Sequence, residues 1–240
     1  MWQQRLCWLF QAILSVKSHQ TKQSGLIDRL SVLYSYFCNM ILSPEYIRKA
    51  LSGNLPGQLS HAKMLPPDRE LIVTEDELKK AKKSSVLLLL FNNENELTAC
   101  LIKRPKHMKF HPGQIALPGG RVEKGESALE TAFRETEEEI GITPDKIEIL
   151  GSLSELYVNV SRFLIHPFVG WLKEKPQFIL NRHEVEKTVF FPVFNYKNEF
   201  DFIELETVAG KLKVPCVKFK NEIIWGATSM ILSEFYDLLK

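Results

Sequence analysis

The chain has 240 residues, which suits one domain with extensions or two small domains. It is 45% hydrophobic and 25% charged, a balance typical of a globular protein with a sizeable core. The net charge of +2 argues neither for nor against nucleic acid as a partner. The four cysteines are scattered without a C-x-x-C pair, which favours reduced thiols in a cytoplasmic protein over a disulfide framework or a zinc site.

The first 39 residues differ from the rest of the chain. Two apolar runs, at 6–14 and 30–42, fall short of the roughly 20 residues that cross a bilayer, so no stable membrane insertion is expected. No small-residue cleavage site follows the first run, which argues against a secretory signal. We therefore predict an N-terminal extension at 1–39 that is not part of the fold, followed by one domain at 40–240. An alternative is that Met40 is the physiological start.

Start and stop signals predict the elements in chain order. Ser43 and Pro44 begin a helix, and Thr74 with Glu77 forms a capping box that begins another. The first half is predicted to contain a helix at 44–52, a loop at 55–70, a helix ending at 82, a buried strand at 86–91, a turn at 92–96 and a strand at 97–103. The second half is predicted to contain strands at 146–153, within 157–172 and at 185–191, two strands within 208–225 and a closing helix at 224–240.

The stretch 119–142, GGRVEKGESALETAFRETEEEIGI, combines a glycine-rich loop with a helix. Residues that recur at helical spacing predict one buried stripe along this helix. The members of the stripe are Leu129, Ala132, Phe133, Thr136 and Ile140. Gly141, followed by Pro144, is a stop signal for the helix.

Three glutamates form a second face of this helix. Glu135, Glu138 and Glu139 are related by i+3 and i+4 and therefore lie side by side. Two carboxylates about 6 Å apart repel by roughly 3 kcal/mol at an effective dielectric near 20, and Arg134 alone does not neutralise the set. Oxygen ligands indicate a hard divalent ion, Mg²⁺ or Mn²⁺. A solvated acidic surface is the alternative, and it describes Glu137, which points away from this face.

The spacing of the fixed residues in this stretch resembles the signature of the Nudix hydrolases, G-x5-E-x7-R-E-U-x-E-E-x-G-U, in which U is a bulky aliphatic residue. The fixed positions correspond to Gly120, Glu126, Arg134, Glu135, Glu138, Glu139 and Gly141. All of them match, and the one departure is Thr136 at the first U. The resemblance implies a Nudix fold of the α/β (α+β) class, a mixed β-sheet sandwiched between α-helices with a loop–helix–loop Nudix box.

A second resemblance covers the residues just before the box. The segment 100–120, CLIKRPKHMKFHPGQIALPGG, looks like the signature of coenzyme A diphosphatases, LLTxRSx3Rx3Gx3FPGG. The matching positions are Arg104, Gly113, Pro118, Gly119 and Gly120. The segment departs from the signature at Ile102, Pro105, Lys109 and Leu117, where the signature has Thr, Ser, Arg and Phe. Lysine at 109 keeps the charge but loses the bidentate fork of arginine.

The two resemblances imply an enzyme that hydrolyses the diphosphate bond of coenzyme A or a derivative in a divalent-metal-dependent reaction, giving 3′,5′-ADP and 4′-phosphopantetheine. They imply that Arg134 orients the glutamates. The implied metal ligands are Glu135, Glu138 and Glu139, with the Gly119 carbonyl and Glu126 as further candidates. The general base is left open between a box glutamate and a downstream acid such as Glu184 or Glu186, for which a charged loop is the competing interpretation.

Four residues are candidate contacts for the phosphates of the substrate: Arg104, Lys109, His111 and Arg162. Ordinary surface charge, or a structural hydrogen bond for the histidine, is the alternative. Within the same family, ADP-ribose, NADH or a damaged nucleotide is an open alternative substrate. From another class, a non-catalytic ligand-sensing domain is considered, although such domains usually lose box glutamates. The expected partner is a small molecule, since no nucleic-acid platform is visible, and a homodimer is an alternative to the monomer.

Overall fold

The computed structural model describes residues 43–67, 69, 72–93, 96–174, 176–196, 200–207 and 210–240. The extension predicted at 1–39 and the centre of the turn predicted at 92–96 lie outside the described residues. The described helices are α1 (Pro44–Leu51), α2 (Gln58–His61), α3 (Glu75–Lys80), α4 (Ala128–Ile140) and α5 (Gly226–Leu238). Short 3-10 helices lie at Ala62–Met64, Pro144–Lys146 and Val193–Asn195.

Eleven strands are described. They are β1 (Lys82–Asn93), β2 (Glu96–Lys103), β3 (Ile115–Ala116), β4 (Gly119–Arg121), β5 (Ile147–Ser152), β6 (Leu156–Val158), β7 (Phe163–Leu172), β8 (Lys187–Pro192), β9 (Asp201–Thr207), β10 (Gly210–Phe219) and β11 (Glu222–Trp225).

The larger sheet is mixed, with the strand order β3-β2-β1-β7-β5. Strands β1 and β7 run parallel, and the other described pairs of this sheet are antiparallel. Off the main order, β4 pairs with β1, β6 pairs with β7 and β8 pairs with β2. A second, three-stranded antiparallel sheet has the order β11-β10-β9.

The apolar run of β1 is buried on both faces of the sheet, which explains why it reads as continuous rather than alternating. Leu87 and Leu89 pack in one core cluster with residues of α4, whereas Leu88 and Leu90 pack in the other with residues of α1 and α5. Helices therefore cover both faces of the sheet, which confirms the predicted sandwich.

Most predicted elements are confirmed with small shifts at their ends. Helix α1 begins after Ser43, whose hydroxyl accepts from the Tyr46 N–H at 3.3 Å. Helix α3 has the predicted capping box, in which the Thr74 N–H donates to the Glu77 carboxylate at 2.9 Å. Strands β1, β2, β5, β7 and β8, the hairpin of β10 and β11, and the closing helix α5 also form where the patterns predicted them.

The prediction of a plain loop at 55–70 was wrong, because α2 and a 3-10 helix form there. No side chain caps the N-terminus of α2, so the local signal for a helix is weak. Long-range contacts with α5 hold it instead. The buried His61 ring lies 2.8 Å from the Glu234 carboxylate, and the Ser60 hydroxyl donates to Asp237. A helix of four residues that is stabilised by such distant partners cannot be predicted from the local sequence pattern.

Strands β3, β4, β6 and β9 were not predicted. Gly119 and Gly120, which the sequence analysis placed in a glycine-rich loop, lie in β4, because their backbone pairs with β1. Strand β9 forms the outer strand of the small sheet, and its side chains are exposed or only half-buried in the described part, with Phe202 45% exposed. Pairing with β10 stabilises it. No described helix is long and apolar enough to cross a membrane.

Candidate active site

Helix α4 carries most of the candidate residues, and its ends are well defined. Ser127 and Glu130 form a capping box at the N-terminus. Gly141 ends the helix in the left-handed region with φ of 72°. The predicted stripe faces the sheet, with Ala132, Thr136 and Ile140 buried. Its other two members, Leu129 and Phe133, are half-buried.

Thr136, the departure from the Nudix signature, fits its buried position. Its side chain is fully buried, and its hydroxyl donates to the Ala132 carbonyl at 2.7 Å. Because the hydroxyl is satisfied one turn back within the helix, the threonine packs at this position without an unpaired polar group.

The three glutamates predicted to lie side by side differ strongly in exposure. The side chain of Glu139 is 1% exposed, that of Glu135 is 15% exposed and that of Glu138 is 52% exposed. Glu137 is exposed, as predicted for a solvated side chain. The exposure of the three side chains therefore increases from Glu139 through Glu135 to Glu138. The sheet that packs beneath α4 decides which of them is buried.

A third acid joins Glu135 and Glu139 from another part of the chain. Carboxylate oxygens of Glu135, Glu139 and Glu184 all lie within 4.8 Å of one another. Glu184 belongs to the segment before β8, for which the sequence offered two acids and no means of choosing between them. Glu186 instead pairs with Lys103 at 3.8 Å. The geometry favours a role in the site for Glu184 and the charged-loop interpretation for Glu186.

Arg134 lies at the centre of a network of carboxylates. Its Nε donates to Glu126 at 2.8 Å, and its Nη1 donates to Glu135 at 2.9 Å and to Glu138 at 3.1 Å. Glu138 is thus held beside the acidic trio rather than within it. This geometry is what an orienting role for Arg134 requires.

Glu126 is occupied by its contacts within the protein. Its carboxylate accepts from Arg134 and from the Thr131 hydroxyl, the latter at 2.7 Å. These hydrogen bonds, that of Arg134 first, lower the pKa of Glu126 to about 2. The arrangement suits the support of Arg134 better than direct contact with a metal.

Two glycines of β4 lie so close to β1 and to Glu135 that side chains would not fit there. A Cβ on Gly119 would lie 2.3 Å from the Ser85 carbonyl oxygen, and one on Gly120 would lie 2.2 Å from Oε1 of Glu135. The Gly119 N–H donates to Oε2 of Glu139 at 3.0 Å. Gly119 therefore lets β4 pack directly against β1, and Gly120 lets it pack directly against the carboxylate of Glu135.

The electrostatics of the trio fit a cation. Burial raises the pKa of Glu139 to about 8, and the neighbouring carboxylates of Glu135 and Glu184 add to this rise. Burial also raises the pKa of Glu135. Two guanidinium groups, Arg134 beside Glu135 and Arg104 beside Glu139, face three carboxylates here. Clustered carboxylate oxygens are the ligands that Mg²⁺ and Mn²⁺ prefer.

Arg104 is the predicted phosphate contact that the structure brings to this cluster. Its Nη1 lies 3.7 Å from Oε1 of Glu139, and its side chain is 18% exposed. Its Nε is buried and has no hydrogen-bond partner among the described residues. A buried donor without a partner is rare and costly, which makes this guanidinium a candidate for binding an anion.

The other predicted phosphate contacts lie on exposed turns. Lys109 lies over the ring of Phe110, with its Nζ 5.5 Å from the ring centre. His111 has φ of 53°, and its Nδ1 lies 2.9 Å from Oε1 of Gln114. Arg162 also has a positive φ, 56°, at the turn between β6 and β7. Within the described part of the chain, these three basic side chains form no hydrogen bond or ion pair with the glutamates of the site.

Comparison with known proteins identifies the family of the chain. The NUDIX domain family matches residues 81–207, more than half of the chain. The chain therefore belongs to the Nudix family, and it is an enzyme of the Nudix hydrolase type.

Its relatives include three proteins with informative names. Nudix hydrolase 3 of Caenorhabditis elegans is 28% identical over 173 residues, which cover 65% of this chain and 72% of the relative. The Nudix hydrolase NudL of Yersinia enterocolitica is 32% identical over 140 residues, which cover 57% and 71%. Peroxisomal coenzyme A diphosphatase ndx-8 of C. elegans is 30% identical over 154 residues, which cover 56% of this chain and 65% of the relative.

Among solved structures, a MutT/nudix family protein from Enterococcus faecalis aligns with a TM-score of 0.45 and 21% identity, covering 81% of this chain and 73% of that one.

Proposed function

We propose that this Nudix hydrolase cleaves the diphosphate bond of coenzyme A or its derivatives to 3′,5′-ADP and 4′-phosphopantetheine. The observation that carries the proposal is the position of Arg104. This arginine belongs to the segment that resembles coenzyme A diphosphatases, and its guanidinium lies 3.7 Å from Glu139 of the box. This distance supports a single site to which both the segment and the box contribute. The similarity to a relative named as a coenzyme A diphosphatase supports the same substrate.

The carboxylates of Glu135, Glu139 and Glu184 would hold Mg²⁺ or Mn²⁺, since their oxygens are within 4.8 Å of one another. Glu138 and the Gly119 carbonyl are further proposed ligands, and Glu126 acts through Arg134. A bound divalent cation supplies positive charge to the diphosphate and promotes ionisation of the attacking water.

The reaction joins a water oxygen to one phosphorus atom and breaks the bond between that phosphorus and the bridging oxygen, which leaves as part of the second phosphate. One carboxylate must take the proton of the water. Glu138 and Glu184 are the two candidates, and whichever of them takes the proton does not serve as a metal ligand at the same time. Glu126 is excluded because it accepts two hydrogen bonds from Arg134 and one from Thr131, and Glu139 because it is buried against Gly119. A general base of this kind typically contributes 10²–10⁴-fold to the rate.

The basic residues are proposed to bind the phosphate groups of the substrate. Arg104, with its buried Nε lacking a partner among the described residues, is proposed to bind the diphosphate. Lys109, His111 and Arg162 are exposed and are proposed to contact the outer groups of the substrate, including the 3′-phosphate. Their exposure fits a role completed only when the substrate binds.

A different nucleoside diphosphate derivative, such as ADP-ribose, NADH or a damaged nucleotide, is the second candidate. Two departures from the coenzyme A signature bear on it. Leu117 is 4% exposed and packs in the core, so its departure from Phe concerns packing. Lys109 is exposed, and its departure from Arg therefore bears on substrate contacts.

A substrate panel tests the proposal. The purified protein is incubated with Mg²⁺ or Mn²⁺ and with coenzyme A, dephospho-coenzyme A, ADP-ribose, NADH and nucleoside triphosphates, and the products are identified by mass. We expect coenzyme A to be cleaved about ten- to a hundredfold faster in kcat/KM than dephospho-coenzyme A, because one charge-assisted hydrogen bond contributes about 1.5–3 kcal/mol. Equal rates would overturn the 3′-phosphate assignment, and preference for ADP-ribose or NADH would establish the second candidate.

We also propose the bounds of the domain and the location of the protein in the cell. Residues 40–240 would form the Nudix domain, since β10, β11 and α5 share a core cluster with β1 and β2. A cytoplasmic location is supported by Cys100 and Cys216, which are buried and free. Fractionation of cells tests the location, and the mass of the purified protein in solution distinguishes monomer from homodimer.

A further inference from the structure

The segment 178–186, here called the acid loop, docks on the C-terminus of α4. The Ile179 N–H donates to the Ile140 carbonyl at 3.0 Å, and the Asn181 N–H donates to the Glu139 carbonyl at 3.1 Å. These carbonyls belong to the last turn of the helix, where intrahelical donors are missing. The close approach requires Gly141, because a Cβ there would lie 2.7 Å from the Cβ of Ile179.

Asn181 uses both its backbone and its side chain in this arrangement. Its carbonyl accepts from the Glu184 N–H at 3.0 Å and from the Val185 N–H at 2.8 Å. Its Oδ1 accepts from the His183 N–H at 3.1 Å, a turn closed by an asparagine side chain. Its Nδ2 donates to Oε1 of Glu184 at 3.3 Å. One residue therefore closes the turn and also contacts the carboxylate that the turn presents.

From these contacts we infer that Asn181 is a positioning residue, which sets the carboxylate of Glu184 at the metal centre. The inference rests on the proposed function, in which Glu184 is a metal ligand. The donor on Oε1 restricts rotation of the Glu184 carboxylate. The backbone bond to the Glu139 carbonyl ties the acid loop to the helix that carries the other two acids. These bonds therefore fix Glu139 and Glu184 relative to each other, although they are 45 positions apart in the chain.

The test measures Mn²⁺ binding without substrate, from the electron paramagnetic resonance signal of free Mn²⁺. Asn181→Ser keeps an oxygen that can accept from the His183 N–H but loses the Nδ2 that donates to Glu184. We expect its Mn²⁺ dissociation constant to rise about tenfold, the low end of the effect of removing groups that hold metal ligands. Asn221→Ser, in the exposed turn between β10 and β11, is the matched control and should bind Mn²⁺ as the wild type does. Asn181→Thr offers the same accepting oxygen and takes the place of the serine variant if that variant does not fold.

A double-mutant cycle separates positioning from general support of the fold. Glu184→Gln removes the charge that Asn181 is inferred to position. In that background Asn181→Ser should weaken Mn²⁺ binding less than twofold further, whereas a merely structural role would weaken it by the same factor in both backgrounds. The inference is overturned if Asn181→Ser binds Mn²⁺ with the wild-type dissociation constant, or if it raises this constant by the same factor in both backgrounds. Either result would leave the proposed metal centre unaffected. If Glu184→Gln binds Mn²⁺ as the wild type does, the proposed ligand set is wrong, and the inference fails with it.

Discussion

The backbone N–H of Gly119 donates a hydrogen bond of 3.0 Å to the carboxylate of Glu139, which lies 20 residues further along the chain. This bond joins strand β4 to the buried end of the glutamate face. It also gives the carboxylate a donor in a place where its side chain is 1% exposed. The charge of Glu139 is only partly compensated in this way, so the residue is a sensitive point for testing the site.

Glu139→Gln should keep the fold and remove most of the activity. The glutamine oxygen can still accept from the Gly119 N–H, whereas the charge that the proposed cation needs is lost. Removing an electrostatic contribution of this kind typically lowers kcat by roughly 10²–10³-fold. Without metal, the melting temperature should rise at alkaline pH, because a buried charge has been removed. Steady-state kinetics and thermal unfolding, with and without Mg²⁺, measure both effects.

Two neighbouring glutamates provide the comparison. Glu137→Gln, at an exposed position, should change neither turnover nor melting temperature. Glu138→Gln should lower turnover with little change in melting temperature, because its side chain is 52% exposed. Near-normal turnover of Glu139→Gln would show that the buried carboxylate does not take part in catalysis.

The stability of the metal-free protein should fall as the pH rises. The pKa of Glu139 is raised from 4.5 to about 8 in the folded state, mainly by burial. Between these values the folded state holds more protons at this residue than the unfolded state, so its contribution to stability is present below about pH 4.5 and is lost toward pH 8. Melting temperatures in the presence of a chelator, from about pH 5 to pH 9, should decline more steeply for the wild type than for Glu139→Gln. Parallel curves for the two proteins would contradict the raised pKa.

Gly120→Ala should separate activity from stability. The added Cβ would lie 2.2 Å from Oε1 of Glu135, so this carboxylate must move. Because the clash is with the end of a flexible side chain, the fold should survive. Displacement of a catalytic group by about 1 Å can cost about 10²-fold in rate. Gly53→Ala, where the nearest atom is the Ala50 carbonyl oxygen at 3.3 Å, is the control and should retain turnover. Unchanged kcat in Gly120→Ala would show that the position of Glu135 is not critical.

Removal of residues 1–39 should leave the turnover intact. All of the candidate site residues lie between Arg104 and Glu184, and the core clusters of the described residues begin at Ile47. The truncated protein and the full chain are compared in kcat/KM and in thermal unfolding. A folded but inactive product would place the extension within the functional domain.

The sequence by itself determined the local features of the site. Helical spacing placed three glutamates and Arg134 on α4, because a helix brings i+3 and i+4 neighbours together wherever it lies. The stop at Gly141 is also a short-range signal, and helix α4 ends there. The capping box of Ser127 and Glu130 is equally local, although the sequence analysis did not predict it. The continuous apolar run at 86–91 predicted a buried strand, because this pattern can be read without knowledge of the neighbouring strands.

Only the tertiary structure decided which carboxylates meet. The sheet beneath α4 buries Glu139 and leaves Glu138 half-exposed, although the two are adjacent in the sequence. Docking of the acid loop on the end of α4 selects Glu184 over Glu186. Helix α2 likewise depends on Glu234, 173 residues away from His61. Burial and long-range pairing depend on how separate segments pack against one another. No local pattern in a single sequence predicts that packing.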